Sequence, residues 1–121
     1  VHDSLQPGIT NEARYVVTKD MSAPHLPRVV LATPAMISLI EGTCLMATKP
    51  HLDDTETTVG THVCVSHQAA ALEGEEFVIR CRLTDVTKRR LTFDVTVDTA
   101  NARISEGTHQ RAVVSLDRMR G

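Results

Sequence analysis

The chain lacks tryptophan altogether, and its 121 residues carry only three aromatic rings, on Tyr15, Phe77 and Phe93. So few rings leave little for base stacking, the device by which single-stranded nucleic acid is held, and they demand a core of aliphatic side chains. An excess of basic charge is missing too: 13 Lys and Arg stand against 15 Asp and Glu, a formal net charge of -2. Domains that grip phosphates concentrate cations on one face, and only Arg89-Arg90, Arg118 and Arg120 gather here. No apolar run approaches the ~20 residues that cross a bilayer. Neither nucleic acid nor membrane is therefore expected as a partner. The three cysteines, Cys44, Cys64 and Cys81, are odd in number and widely spaced, which argues against a disulfide framework. Each falls in a hydrophobic-patterned segment and reads as a reduced thiol used as a small hydrophobe. The chain begins at Val1, no signal peptide is recognisable, and a cytoplasmic location is expected.

What is present suits one globular domain, residues 1–121, with 41% hydrophobic and 23% charged residues. No internal repeat or low-complexity segment interrupts it. Ile9 to Thr18 alternates as a strand, with Pro7-Gly8 turning into it. Ser22-Ala23-Pro24-His25-Leu26-Pro27 predicts a loop or one helical turn. Thr33 followed by Pro34 predicts a helix start with Thr33 as N-cap, and the apolar run to about Ala47 gives roughly four turns. Met36, Ile37, Leu39, Ile40, Cys44 and Leu45 cover most of its circumference, the pattern of a central helix. Lys49-Pro50 ends it, and His51 to Glu56 reads as an acidic surface loop. Thr57 to Gln68, Glu76 to Val86, Arg90 to Thr99 and Ala102 to Leu116 are strand-like, with turns at Glu73-Gly74, Thr87-Lys88-Arg89 and Thr99-Ala100-Asn101. The result is an α+β domain: an antiparallel sheet wrapped around one long central helix.

Glu41 stands in the middle of that helix, in a segment where a carboxylate is costly unless it has a partner. Strand alternation puts Val59, Thr61, Val63, Val65 and His67 on the face toward the helix, and Gly60, His62, Cys64, Ser66 and Gln68 on the other. A bulge at Gly60 or Ser66 reverses that phase. His67 is thus a candidate partner for Glu41, either as a satisfied core pair or as a general-base pair. Thr33 and Glu41 lie about 12 Å apart along a continuous helix, too far to touch within one chain. If they act together, either the helix starts late or the site forms between two protomers.

The runs Thr33 to Met36, Glu41-Gly42-Thr43-Cys44, Val59 to Ala70 and Glu106-Gly107-Thr108-His109-Gln110-Arg111-Ala112-Val113 together resemble the fluoroacetyl-CoA thioesterase-like family of hotdog proteins. The resemblance extends from about Ile9 to Leu116. It implies a hotdog fold, a homodimer with sites at the protomer interface, and acyl-CoA thioester hydrolysis. It implies a catalytic group of Thr33, Glu41 and His67, with Gly60 helping to bind the substrate carbonyl. Members that select a fluorinated acyl group carry bulky aromatics just before the catalytic threonine. Met21 to Ala32 contains none, so a fluoroacetyl preference is not implied.

Thioester hydrolysis needs a polarised carbonyl, an attacking water or hydroxyl, and a base. A main-chain N–H at Gly60 can serve as donor, with His67 and Glu41 activating water or the Thr33 hydroxyl. No metal and no cofactor are required, CoA entering as part of the substrate. His62, Cys64 and His67 do not converge as ligands if the strand alternates. Arg111, with Arg89 and Arg90, is a candidate for the CoA phosphates. The alternative reading is a hotdog dimer that binds acyl-CoA or another apolar small ligand without turnover, since fold alone does not confer activity. A third is an acyl-CoA enzyme that does not hydrolyse, such as a hydratase.

Overall fold

A computed structural model describes residues 1–120. The Val- and Thr-rich segments form five strands, β1 (Thr10–Val16), β2 (Glu56–Val65), β3 (Glu76–Thr87), β4 (Arg90–Thr99) and β5 (Arg103–Ser115). They make one antiparallel sheet in the order β1-β3-β4-β5-β2. Helix α1 (Thr33–Thr48) touches β3 and both edge strands, β1 and β2, so the sheet curls around it. A 3-10 turn at Lys49–His51 extends α1, because Pro50 has no N–H to continue the α pattern. Another, at Lys19–Met21, opens the proline-containing loop. The tight β3–β4 hairpin turns at Lys88, which takes φ of 56° without glycine. A short helix, α2 (Leu116–Arg120), and the burial of Leu5 against the core were not signalled by the sequence pattern.

The core is aliphatic, as the shortage of rings requires. One stripe of α1, Met36, Ile40, Cys44 and Ala47, recurs at helical spacing and packs with Ile79, Leu83, Leu91, Phe93, Val95 and Val97. Each fully buried Ile, Leu or Met contributes about 1.5–3 kcal/mol. The opposite flank departs from the expectation of burial all round. Ile37 and Leu45 are only half-buried, and Met46 is 53% exposed. One curled sheet covers one side of the helix and leaves the other partly open.

Two local details correct the sequence reading. Ala32, not Thr33, is the N-cap of α1, and no side chain caps it; Thr33 and Pro34 are its first helical residues. Proline supplies the preset φ that starts the helix, so the Thr33 hydroxyl is released from capping. The second detail is a bulge in β2 between Gly60 and His62. Gly60 pairs with Arg111 and Thr58 with Val113, whereas Val63 pairs with His109 and Val65 with Gly107. Directly paired residues share a face. Even-numbered residues therefore point inward before the bulge and odd-numbered ones after it, which turns Val59 away from the face it was expected to share with Val63.

Candidate active site

Thr33 sits exposed at the first turn of α1, and His67 follows the end of β2. The chain stays aligned with β5 beyond β2, through Ser66 N–H to Glu106 O at 3.0 Å and Gln68 N–H to Ile104 O at 2.8 Å. That alignment brings the half-buried imidazole to the helix start, where His67 Nδ1 lies 2.6 Å from Thr33 Oγ1. With the ring hydrogen on Nε2, Nδ1 accepts from the hydroxyl. The pair opens on a shallow cavity of about 390 Å³ walled by Val30, Leu31, Ala69 and Ala70.

Glu41 lies two turns along α1, and its side chain is 39% exposed. Its Oε1 is 3.5 Å from Arg111 Nη1 and 3.9 Å from His109 Nε2. The carboxylate rests on Gly60: a Cβ built there would stand 2.1 Å from Glu41 Oε1 and 3.3 Å from His109 Cε1. Only glycine leaves room for that approach. Arg111 is 5% exposed and makes three further hydrogen bonds to two residues, Nε donating to Thr58 Oγ1 (2.8 Å), Nη2 to Thr58 O (2.9 Å) and Nη1 to His109 Nε2 (3.1 Å). Burial pulls the Arg111 pKa below its ordinary value, against the opposing pull of Glu41. Its guanidinium is turned inward and holds partners of its own chain, not the solvent-facing position of an exposed phosphate ligand.

The residues singled out from sequence thus fall into two groups, Thr33 with His67 and Glu41 with Gly60 and Arg111. The facing pair expected of Glu41 and His67 does not form within the chain. Among the described residues the ion partner of Glu41 is Arg111, with the His109 imidazole 3.9 Å away, and α1 runs without a break from Thr33 past Glu41, about 12 Å at 1.5 Å per residue. Thr58 and His109 were missed. A signal existed for His109, which lies two residues before Arg111 on a strand and so on the same face.

A curled antiparallel sheet around one central helix places the chain among the hotdog-fold proteins. A Thermus thermophilus thioesterase superfamily member superposes with a TM-score of 0.89 at 20% identity, covering 98% of this chain and 90% of that one, a likeness of fold. The fluoroacetyl-CoA thioesterase FlK superposes with a TM-score of 0.90 at 30% identity, covering 98% and 94%. The family model described as FlK, fluoroacetyl-CoA-specific thioesterase, matches residues 12–117, and the chain belongs to that family. The fluoroacetyl-CoA thioesterase of Streptantibioticus cattleyicolor is 37% identical over 89 residues, 74% of this chain. That match spans 64% of the relative's own length.

Proposed function

We propose that this chain is an acyl-CoA thioesterase that hydrolyses a small or medium acyl-CoA to the free acid and CoA. The observation that carries the reading is the 2.6 Å contact between Thr33 Oγ1 and His67 Nδ1, made by a hydroxyl that caps nothing. A Thr hydroxyl at a helix start is ordinarily accounted for by the backbone; here it is held on a potential base. Water adds to the acyl carbon, the C–S bond breaks, and the proton taken up by His67 passes to the departing sulfur. His67 serves either a water positioned by Thr33 or the Thr33 hydroxyl itself, in which case water hydrolyses a Thr33 ester. Glu41 supplies the carboxylate of the group, and a main-chain N–H at Gly60 polarises the carbonyl. The missing aromatic side chains between Met21 and Ala32 favour a pocket not built for fluoroacetyl selection.

In this reading the working form is a homodimer, and each site joins Thr33 and His67 of one protomer to Glu41 of the other. Three features support it. Thr33 and Glu41 are separated along one rigid helix; Gly60 to Cys64 on edge strand β2 are exposed; and Val63 (36% exposed) and Met46 leave apolar surface on that side. An unprotected edge strand is a template for pairing with another chain.

Free-thiol release from a panel of acyl-CoAs tests the activity, and mixed dimers test the site. Glu41→Ala and His67→Ala chains should each be inactive alone. Unfolded together and refolded, they should recover roughly a quarter of wild-type activity, because half the dimers are mixed and each mixed dimer holds one intact site. No recovery would place all three residues in one protomer. Tight acyl-CoA binding by the wild type with no thiol release would make the protein a binding dimer instead, and a hydrated acyl-CoA product would make it a hydratase.

A further inference from the structure

His109 has no part in the chemistry above, yet it is completely buried and lies within reach of Glu41. Its place is set by β5, where His109, Arg111 and Val113 alternate inward, and by register with Phe93, on which its ring packs at a centroid distance of 6.5 Å. A neutral imidazole has one N–H and one lone pair. The carbonyl of His62, 2.8 Å from Nδ1, can only accept, so the hydrogen is on Nδ1. Nε2 is then an acceptor, and Arg111 Nη1 donates to it at 3.1 Å. Burial and the Arg111 charge both push the imidazole pKa down, opposed by the His62 carbonyl and Glu41. The 3.9 Å approach to Glu41 is therefore that of a neutral ring, not an ion pair.

Three donated bonds, two to Thr58 and one to His109, fix the plane of the Arg111 guanidinium. Thr58 holds the Nε and Nη2 edge; His109 alone restrains Nη1, the nitrogen that meets Glu41 at 3.5 Å. We propose that His109 is a positioning residue for the reaction: its Nε2 lone pair anchors Arg111 Nη1, which in turn holds the Glu41 carboxylate over Gly60. The proposal rests on the reading of Glu41 as part of the reacting group. It gives β5 a relay from the main chain of β2 to α1, in the order His62 carbonyl, His109, Arg111, Glu41. A guanidinium suits that duty, because its planar fork passes orientation as well as charge.

Two variants separate positioning from packing. His109→Phe keeps a ring against Phe93 and removes the acceptor; His109→Gln keeps an acceptor near Nε2 and removes the ring. Positioning predicts that kcat falls on the order of 10- to 100-fold in His109→Phe with KM within about twofold, and that His109→Gln restores most of kcat even if its melting temperature is the lower of the two. The reverse order of kcat, or wild-type kcat in His109→Phe, overturns the proposal. A second readout needs no activity: nitrogen NMR of the wild type at pH 7 should show His109 protonated at Nδ1 and bare at Nε2, with slow rotation of the Arg111 guanidinium. An imidazolium, or the Nε2–H tautomer, overturns it. A wild type that hydrolyses no acyl-CoA would instead defeat the proposed function, and the NMR result would still decide whether His109 anchors Arg111.

Discussion

Replacing Gly60 by alanine tests the site at its tightest point. The new Cβ would meet Glu41 Oε1 at 2.1 Å, and ordinary contact begins near 3.4 Å, so the carboxylate oxygen must retreat by about 1.3 Å. The retreat is mechanically easy, because the oxygen ends a flexible, part-exposed side chain, and Gly60 is not among the glycines with positive φ. The Cβ also meets buried His109 Cε1 at 3.3 Å, which needs to yield by only about a tenth of an ångström, so fold stability should change by less than about 1 kcal/mol, the alanine also stiffening the unfolded chain. Catalysis is less tolerant: a misplacement of about 1 Å costs on the order of 100-fold, or ~2.7 kcal/mol of barrier. The expected outcome is a well-folded variant with kcat for thiol release down about 100-fold and an unshifted melting temperature. The main-chain N–H survives the substitution, so the loss reports the carboxylate rather than the donor. A double-mutant cycle sharpens this: in a Glu41→Ala background the alanine at Gly60 should cost almost nothing more. Wild-type kcat in Gly60→Ala, or full additivity with Glu41→Ala, would refute the placement of Glu41 over Gly60.

Thr33→Ala should lower kcat by about 10²–10⁴ while leaving the melting temperature within about 1 °C, since the hydroxyl caps no backbone group; a stability loss near the ~1 kcal/mol of a true N-cap would contradict the helix start at Ala32. If the proposed dimer forms through β2, Val63→Lys on its exposed edge should make the protein sediment as a monomer and abolish thiol release, whereas an active monomer would refute the interface site. The depressed pKa of His109 makes the unfolded chain the stronger proton binder below its ordinary value near 6.5, so the contribution of His109 to stability is lost as pH falls from 6.5 toward the native pKa. Urea midpoints of wild type minus His109→Gln, taken between pH 7.5 and pH 5, should shrink with falling pH; a difference that grows would show a protonated ring in the native state.

Much of the architecture was legible because periodicity speaks for itself over long elements. Arg90 to Thr99 was bounded correctly, and the other strands of the second half were placed within three residues at either end, as Val and Thr alternation between polar turns requires. The helix was legible from Pro34 and the apolar run, but Thr-Pro is a weaker sign of the cap residue than of the helix. Proline at the second helical position fixes the backbone without help from a side chain, and Ala32 takes the extended φ of -78° and ψ of 148° unaided. The partners of Glu41 were not legible. They depend on a single extra residue in β2, for which Gly60 and Ser66 were alternative positions that alternation could not choose between, and on Arg111, whose burial follows from facing inward on β5. From sequence Arg111 reads as a candidate for the CoA phosphates, and nothing local points it toward Glu41.

The bulge does more than change the phase; it lets one strand serve both residue groups, Glu41 over Gly60 and Thr33 with His67. A strand of strict alternation presents residues of one parity to its inner face. If β2 kept the phase that sets Thr58 and Gly60 under α1, the next inward residues would be His62 and Cys64, and His67 would turn outward. If it kept the phase of Val63 and Val65 throughout, Val59 would replace Gly60 beneath Glu41 and its side chain would collide with the carboxylate. The register shift between Gly60 and His62 satisfies both demands, leaving a bare backbone under Glu41 and delivering His67 to Thr33 Oγ1 seven residues later. It also lies within the stretch of β2 exposed at the sheet edge, where an extra residue disrupts one ladder instead of two.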